Sequence, residues 1–132
     1  MKIRQLKKSD FKQVIELWTK SFSSRFNNEI NTDYLFDSNS ITIVSVDNKT
    51  ISGVASLHII KKLTRTMGLI EDVAVNNDYR GKGVGKKLVE KLIEIAIENN
   101  CDKTVLNSSE QNLEFYTKIG FIKNEIQMII RS

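Results

Sequence analysis

The chain has 132 residues, 40% of them hydrophobic, with 20 lysines and arginines against 16 acids and a formal net charge of +4. That length gives a single domain, 1–132, with a real core and no room for a second catalytic domain, while one cysteine (Cys101) and one histidine (His58) rule out an internal disulfide and a cysteine metal cluster and make a Ser-His-Asp triad hard to assemble. The dispersed positive charge suits an anionic small molecule better than a nucleic acid, no apolar run reaches the roughly 18–20 residues of a bilayer span, and no signal-type segment opens the sequence, so a soluble, cytoplasmic protein without metal, nucleic-acid or membrane partner is expected.

Ile3 to Leu6 reads as a first strand. Ser9 and Asp10 offer an N-cap before Phe11, Val14, Ile15, Leu17 and Trp18, whose spacing puts one apolar face on a helix. Residues Asn27 to Ser40 are polar and turn-rich around a short apolar island, Tyr34-Leu35-Phe36, and predict either a second short helix or a loop over a site. Ile41 to Val46 and Ile51 to Ile60 form a hairpin about the turn Asp47-Asn48-Lys49, with His58 as a strand residue. Lys61 to Thr66 is a basic loop, and Gly68 to Val75 is the next strand, nearly all apolar as in a sheet covered on both faces, except for Glu71 and Asp72. Strand alternation sends those two acids to opposite faces, so they are not expected to share one task.

From Val84 to Asn99 the apolar side chains Val84, Leu88, Val89, Leu92, Ile93, Ala96 and Ile97 line one side of a helix that Asn99-Asn100 ends. Thr104 to Leu106 is a short strand, Ser108 or Ser109 caps a helix Glu110 to Ile119, Gly120 stops it, and Phe121 to Ile130 supplies the last strand or strands. The predicted order is β-α-(α)-β-β-β-α-β-α-β.

The chemistry concentrates where the Gly68–Val75 strand feeds Arg80-Gly81-Lys82-Gly83-Val84-Gly85-Lys86. Three glycines in five residues let backbone N–H groups converge at a helix start, where the helix dipole also favours an anion, and Arg80, Lys82, Lys86 and Lys87 surround the turn with positive charge. The lack of Gly-Lys-Ser/Thr argues against a nucleotide-hydrolase phosphate loop, and the lack of a ribose-reading acid argues against a dinucleotide site.

Arg80-Gly81-Lys82-Gly83-Val84-Gly85 resembles the acetyl-CoA motif Gln/Arg-x-x-Gly-x-Gly/Ala of the GNAT superfamily of N-acetyltransferases, and Asn112-Leu-Glu-Phe-Tyr116-Thr-Lys-Ile-Gly120-Phe121 is similar to its second signature at the usual separation. Within it, the strand Ile70-Glu-Asp-Val-Ala-Val75 and the ending Glu125-Ile-Gln-Met128 ahead of Arg131 look most like glucosamine-6-phosphate N-acetyltransferases. The resemblance implies an α/β (α+β) GNAT fold, a mixed, mostly antiparallel sheet of six to seven strands with about four helices, splayed between the fourth and fifth strands. It implies acetyl-CoA as cosubstrate, held by the backbone of Val73, Ala74 and Val75, by Arg80, Gly81, Lys82, Gly83, Val84, Gly85 and Lys86, and by Asn112 and Tyr116. It further implies an N–H near Val73 that polarises the thioester, Glu71 and Asp72 relieving the amine of a proton directly, through water or by orientation, and Tyr116 donating to the thiolate. Lys62, Arg65, Asp102, Lys103 and Arg131 would join the acids in binding an amino-sugar phosphate, in a homodimer whose C-terminal part crosses to the partner. Acetyl passes directly in a ternary complex, giving a precursor of UDP-N-acetylglucosamine; Cys101, remote from the slot, is not expected to carry it. An acetyltransferase for another amine (protein lysine, polyamine or aminoglycoside) and a non-catalytic CoA-binding module are the alternatives. The chain departs from the pattern at Leu69, where histidine is common, at Asp102, where tyrosine is usual, and at Asn107, where an acid stands.

Overall fold

A computed structural model describes residues 1–22 and 30–132. Five strands, β1 (Lys2–Gln5), β2 (Ser40–Asp47), β3 (Thr50–Lys61), β4 (Thr66–Val75) and β5 (Lys103–Leu106), make one sheet in the order β1-β2-β3-β4-β5. The first four are antiparallel neighbours, joined between β2 and β3 by a tight turn in which Asn48 takes φ 58°, a left-handed conformation that asparagine tolerates. β5 returns parallel to β4 through the helix α2 (Val84–Glu98), the crossover that a parallel pair requires.

The helices α1 (Phe11–Ser21) and α2 cover opposite faces of the sheet. α1 sets Val14 and Leu17 against Val44, Ile51, Val54 and Ala74, whereas α2 sets Val84, Leu88, Val89, Leu92 and Ala96 against Ile43, Ala55, Leu57, Ile59 and Ile70. Covering both faces is why the central strands read as almost unbroken apolar runs. A third helix, α3 (Leu113–Ile119), ends at Gly120 with φ 125°.

Several expectations are corrected. The described residues hold five strands and three α-helices, not six to seven strands and about four helices. Phe121 to Ile130 forms no strand: the chain bends at Glu125 (φ 54°), and a strand requires a neighbour for its N–H and C=O groups, which this segment does not find among the described residues. The segment 27–40 contains a 3-10 turn, Thr32–Phe36, rather than an α-helix, and its part within 23–29 lies outside the described residues. The helix expected over Glu110–Ile119 opens as a 3-10 turn, Glu110–Asn112, before α3, and Ser109 caps it without a side-chain hydrogen bond. Asp10 occupies the cap position of α1 but turns its carboxylate back, accepting from the Lys7 N–H at 2.8 Å and from Arg4 at 2.7 and 2.9 Å. The buried pair outcompetes the helix end because it satisfies both carboxylate oxygens.

Candidate active site

β4 is regular from Thr66 to Ile70 and then breaks step. Ser56 on β3 pairs with Glu71, yet Val54 pairs with Ala74, so one extra residue is accommodated in β4 and Asp72 takes φ 57°. Ile70 and Val73 both pack towards α2, which leaves the two intervening residues, Glu71 and Asp72, on the α1 side. The alternation argument that separated the acids is therefore wrong, because it assumes an uninterrupted pleat. The only tryptophan, Trp18 on α1, donates its Nε1–H to the Asp72 carbonyl at 2.9 Å and satisfies a group that the bulge frees from the ladder.

Burial pushes both carboxyl groups above their ordinary values, with the Asp72 charge adding to the effect on Glu71, while His58 pulls both back down. Carboxyls raised in this way hold protons at a higher pH than exposed acids and are suited to exchanging them with a ligand. Alongside lies a polar stripe that crosses the sheet. Thr42 Oγ1 is 2.7 Å from both the Tyr34 hydroxyl and Ser56 Oγ, and Ser56 stands directly across from Glu71. His58 stands across from Leu69, so the chain's single imidazole occupies the β3 position facing the one where the resemblance leads one to expect histidine. Tyr34, Ser56 and His58 were not singled out for a site from the sequence. The signal was present as polar residues at period two, Ser40-x-Thr42 and Ser56-x-His58, inside apolar strands.

Pairing of β4 with β5 begins at Met67 opposite Lys103 and stops at Ile70 opposite Leu106. β4 continues to Val75 whereas β5 ends at Leu106, so the β4 edge from Glu71 through Val75 has no strand beside it among the described residues. The glycine turn follows. Gly81 (φ 79°) and Gly83 (φ 81°) are both left-handed, and a Cβ on either would meet nothing within 4 Å, so it is conformation and the open concavity that call for glycine there. Gly83 is the N-cap of α2 and offers no side chain, leaving the N–H groups of the first helical turn directed outward. Gly85 differs: its Cβ would lie 3.2 Å from Val75 and 3.3 Å from Phe115, so it permits close packing of β4, α2 and α3.

Side chains brace the turn. Tyr79 donates its hydroxyl to Asp47 Oδ2 at 2.8 Å, Lys82 lies 5.4 Å above the Tyr79 ring, and Arg80 Nε donates to Asn77 Oδ1 at 2.8 Å. Lys86 lines an open groove of about 390 Å³ with Gln111, Glu114, Phe115, Lys118 and Ile119. On α3, Tyr116 packs with Val73 and Val75 around the α2-side core and meets Phe115 and Phe121 edge-on, with centroids 4.9 and 5.9 Å away. Burial raises its phenol above the ordinary value, which keeps it a hydrogen-bond donor at neutral pH. Asn112 is exposed at the start of α3.

The expected phosphate ligands gather in part. Lys62 and Arg65 sit in the short β3–β4 turn, closed by the Lys62 N–H to the Arg65 carbonyl at 2.8 Å, and Asp102 donates its N–H to the Thr66 carbonyl at 2.8 Å next to Lys103. These four lie together at the end of the sheet where β4 and β5 start, whereas Glu71 and Asp72 lie at the bulge further along β4. Arg131 is exposed in the irregular C-terminal segment, as are Ile122, Ile126, Met128 and Ile130. Cys101 follows α2, and burial raises its thiol, with Asp102 adding to the effect, which disfavours the thiolate form of a nucleophile. No group of three or more metal-ligating side chains, and no helix long and apolar enough to cross a membrane, occurs among the described residues.

A free strand edge beside a glycine turn at a helix start suits an extended ligand that carries an anionic group. Residues 3–121 match the acetyltransferase (GNAT) family, and the chain belongs to it. Over 81 residues, 59% of this chain, it is 49% identical to a glucosamine 6-phosphate N-acetyltransferase of Trypanosoma brucei brucei, of which the match spans 55%. Among solved structures, an acetyltransferase of Trypanosoma brucei superposes with a TM-score of 0.87 at 35% identity, covering 99% of both chains. A glucosamine-6-phosphate N-acetyltransferase of Arabidopsis thaliana superposes with a TM-score of 0.85 at 30% identity, covering 98% of this chain and 97% of that one.

Proposed function

We propose that this chain transfers the acetyl group of acetyl-CoA to the amine of glucosamine 6-phosphate, directly and within a ternary complex. The observation that carries the reading is the geometry of β4: a single strand brings the raised acids Glu71 and Asp72, the unpaired edge Val73–Val75 and the glycine turn into line. The relatives with this name at 49% and 42% identity supply the acceptor.

In this reading the backbone of Val73, Ala74 and Val75 pairs with the pantetheine arm as an added strand, and the N–H groups from Gly81 to Lys86 receive the pyrophosphate, with Arg80, Lys82 and Lys86 adding charge. Acetyl-CoA supplies an activated thioester. A backbone N–H near Val73 polarises its carbonyl, a contact of the kind worth about a hundredfold or more in rate. Glu71 and Asp72, on one side of the sheet, bind the ammonium and take its proton, so the free amine attacks. Tyr116, kept protonated by burial, donates to the departing thiolate, and Asn112 contacts the same cosubstrate.

Lys62, Arg65, Asp102 and Lys103 form one cluster for the sugar phosphate, displaced along β4 from the acids. The exposed apolar side chains around Arg131 support a homodimer in which the C-terminal segment lies on a second copy and carries Arg131 to that copy's site. A thiol-release assay over a panel of amines tests the reading. CoA release with glucosamine 6-phosphate is expected, and release only with another amine overturns the assignment of acceptor.

A further inference from the structure

We propose that Trp18 is a positioning residue of the transfer step: its indole N–H holds the Asp72–Val73 peptide group in the orientation from which the Val73 N–H meets the thioester carbonyl. The inference deepens the function proposed above and rests on it for the task of that N–H. Between Ser56 opposite Glu71 and Val54 opposite Ala74, β3 has one residue, Ala55, and β4 has two, Asp72 and Val73. The peptide that joins these two is the centre of the bulge, where the ladder is disrupted. Trp18 reaches it from the last turn of α1, donating its Nε1–H to the Asp72 carbonyl at 2.9 Å.

A peptide group is planar, and no cis bond occurs among the described residues, so its C=O and N–H point in opposite directions. Anchoring the Asp72 oxygen to α1 thus fixes the direction of the Val73 N–H as well, and turns it away from the indole. The anchor is itself held. The Trp18 ring packs against the core of Val14, Leu17, Val44, Val54 and Ala74, and the Trp18 carbonyl accepts the Phe22 N–H at 2.8 Å. Asp72 has φ 57°, a conformation that a residue other than glycine keeps only where its surroundings over-determine it, and the indole, which donates and cannot accept, supplies one such constraint. A carbonyl that accepts a hydrogen bond also polarises its own peptide group, which makes the N–H a stronger donor.

A sole tryptophan lets this one donor be removed without a cavity: expression in a tryptophan auxotroph supplied with benzothienylalanine replaces Trp18 alone, with sulfur in place of N–H and the ring shape kept. In the cofactor-free wild type, NMR is expected to show a scalar coupling across the hydrogen bond, from the indole nitrogen to the Asp72 carbonyl carbon; its absence overturns the proposal. In the replaced protein the infrared carbonyl stretch of bound acetyl-CoA, isotope-labelled at that carbonyl, is expected to return towards its value in free acetyl-CoA. There kcat should fall about tenfold while KM for acetyl-CoA changes little. An unmoved kcat overturns the proposal. So does an unmoved stretch, and a lowered unfolding midpoint beside it would make Trp18 a packing residue only. A wild-type protein inactive on glucosamine 6-phosphate would defeat the proposed acceptor alone, since the coupling and the stretch need no amine and kcat can be taken with whichever amine reacts.

Discussion

The two halves of the proposed site, one for the donor and one for the acceptor, are built by different means. On the donor side the useful groups are backbone N–H and C=O, exposed by two left-handed glycines, by the first turn of α2 and by a strand edge released after Ile70. On the acceptor side they are side chains, Glu71, Asp72, Ser56 and His58, gathered by a bulge and a cross-strand register. A backbone-built site tolerates sequence change wherever conformation is kept, whereas a side-chain-built one fails with single atoms.

Substitutions can break the contrast. Removing the charge of Glu71 or Asp72 as Gln or Asn is expected to lower kcat/KM for the amine by about 10²–10⁴-fold with acetyl-CoA affinity intact by calorimetry; parallel loss of acetyl-CoA affinity would show that the halves are not separate. Asp72→Asn is conformationally gentle, because asparagine also accepts the left-handed geometry of the bulge. Tyr116→Phe should reduce kcat about a hundredfold, with KM for acetyl-CoA changed little; an unchanged kcat removes the hydroxyl from the leaving-group step. Gly83→Val is expected to weaken acetyl-CoA about tenfold or more without touching amine chemistry, because a β-branched residue at φ 81° costs on the order of 1–2 kcal/mol and the turn reopens elsewhere. Unaltered affinity would mean that the turn binds nothing.

The smallest effect is on stability. Glu71→Gln should raise the unfolding midpoint by about 1–3 °C at pH 7 and confer no advantage at strongly acid pH. The folded-state value of Glu71 is raised, so folding retains its proton; stability is full below the unfolded value of 4.5 and declines as pH climbs through the folded one. Asp10 has the opposite sign. Its value is lowered, first by the Arg4 hydrogen bond, so its contribution is present above 3.8 and disappears as pH falls through the folded value. Asp10→Ala should therefore destabilise at neutral pH by about 1–2 kcal/mol, measured by urea unfolding.

The same contrast governs what could be read in advance. Glycine has few reasons to occur three times in five residues, so the glycine turn and α2 were legible, along with the β2–β3 hairpin, although Ile97, read into the apolar face of α2, is exposed. The bulge was not, because a one-residue insertion in a ladder leaves no mark in hydrophobic spacing, and alternation then assigned Asp72 to the wrong face. His58 is the strand residue that the sequence predicts, while its cross-strand neighbours, Ser40 and Leu69, are distant in sequence and so were not legible. The last strand failed for a different reason: the apolar residues near Ile126 to Ile130 carry a pairing preference, and no strand edge among the described residues receives them.

The hydrogen bond from Trp18 to the Asp72 carbonyl gives the bulge an optical label. With no other indole in the chain, emission comes from one ring tied to the backbone at Asp72. Stopped-flow fluorescence can therefore test the proposed entry of an amine beside the bulge in unmodified protein, and separate it in time from thiol release.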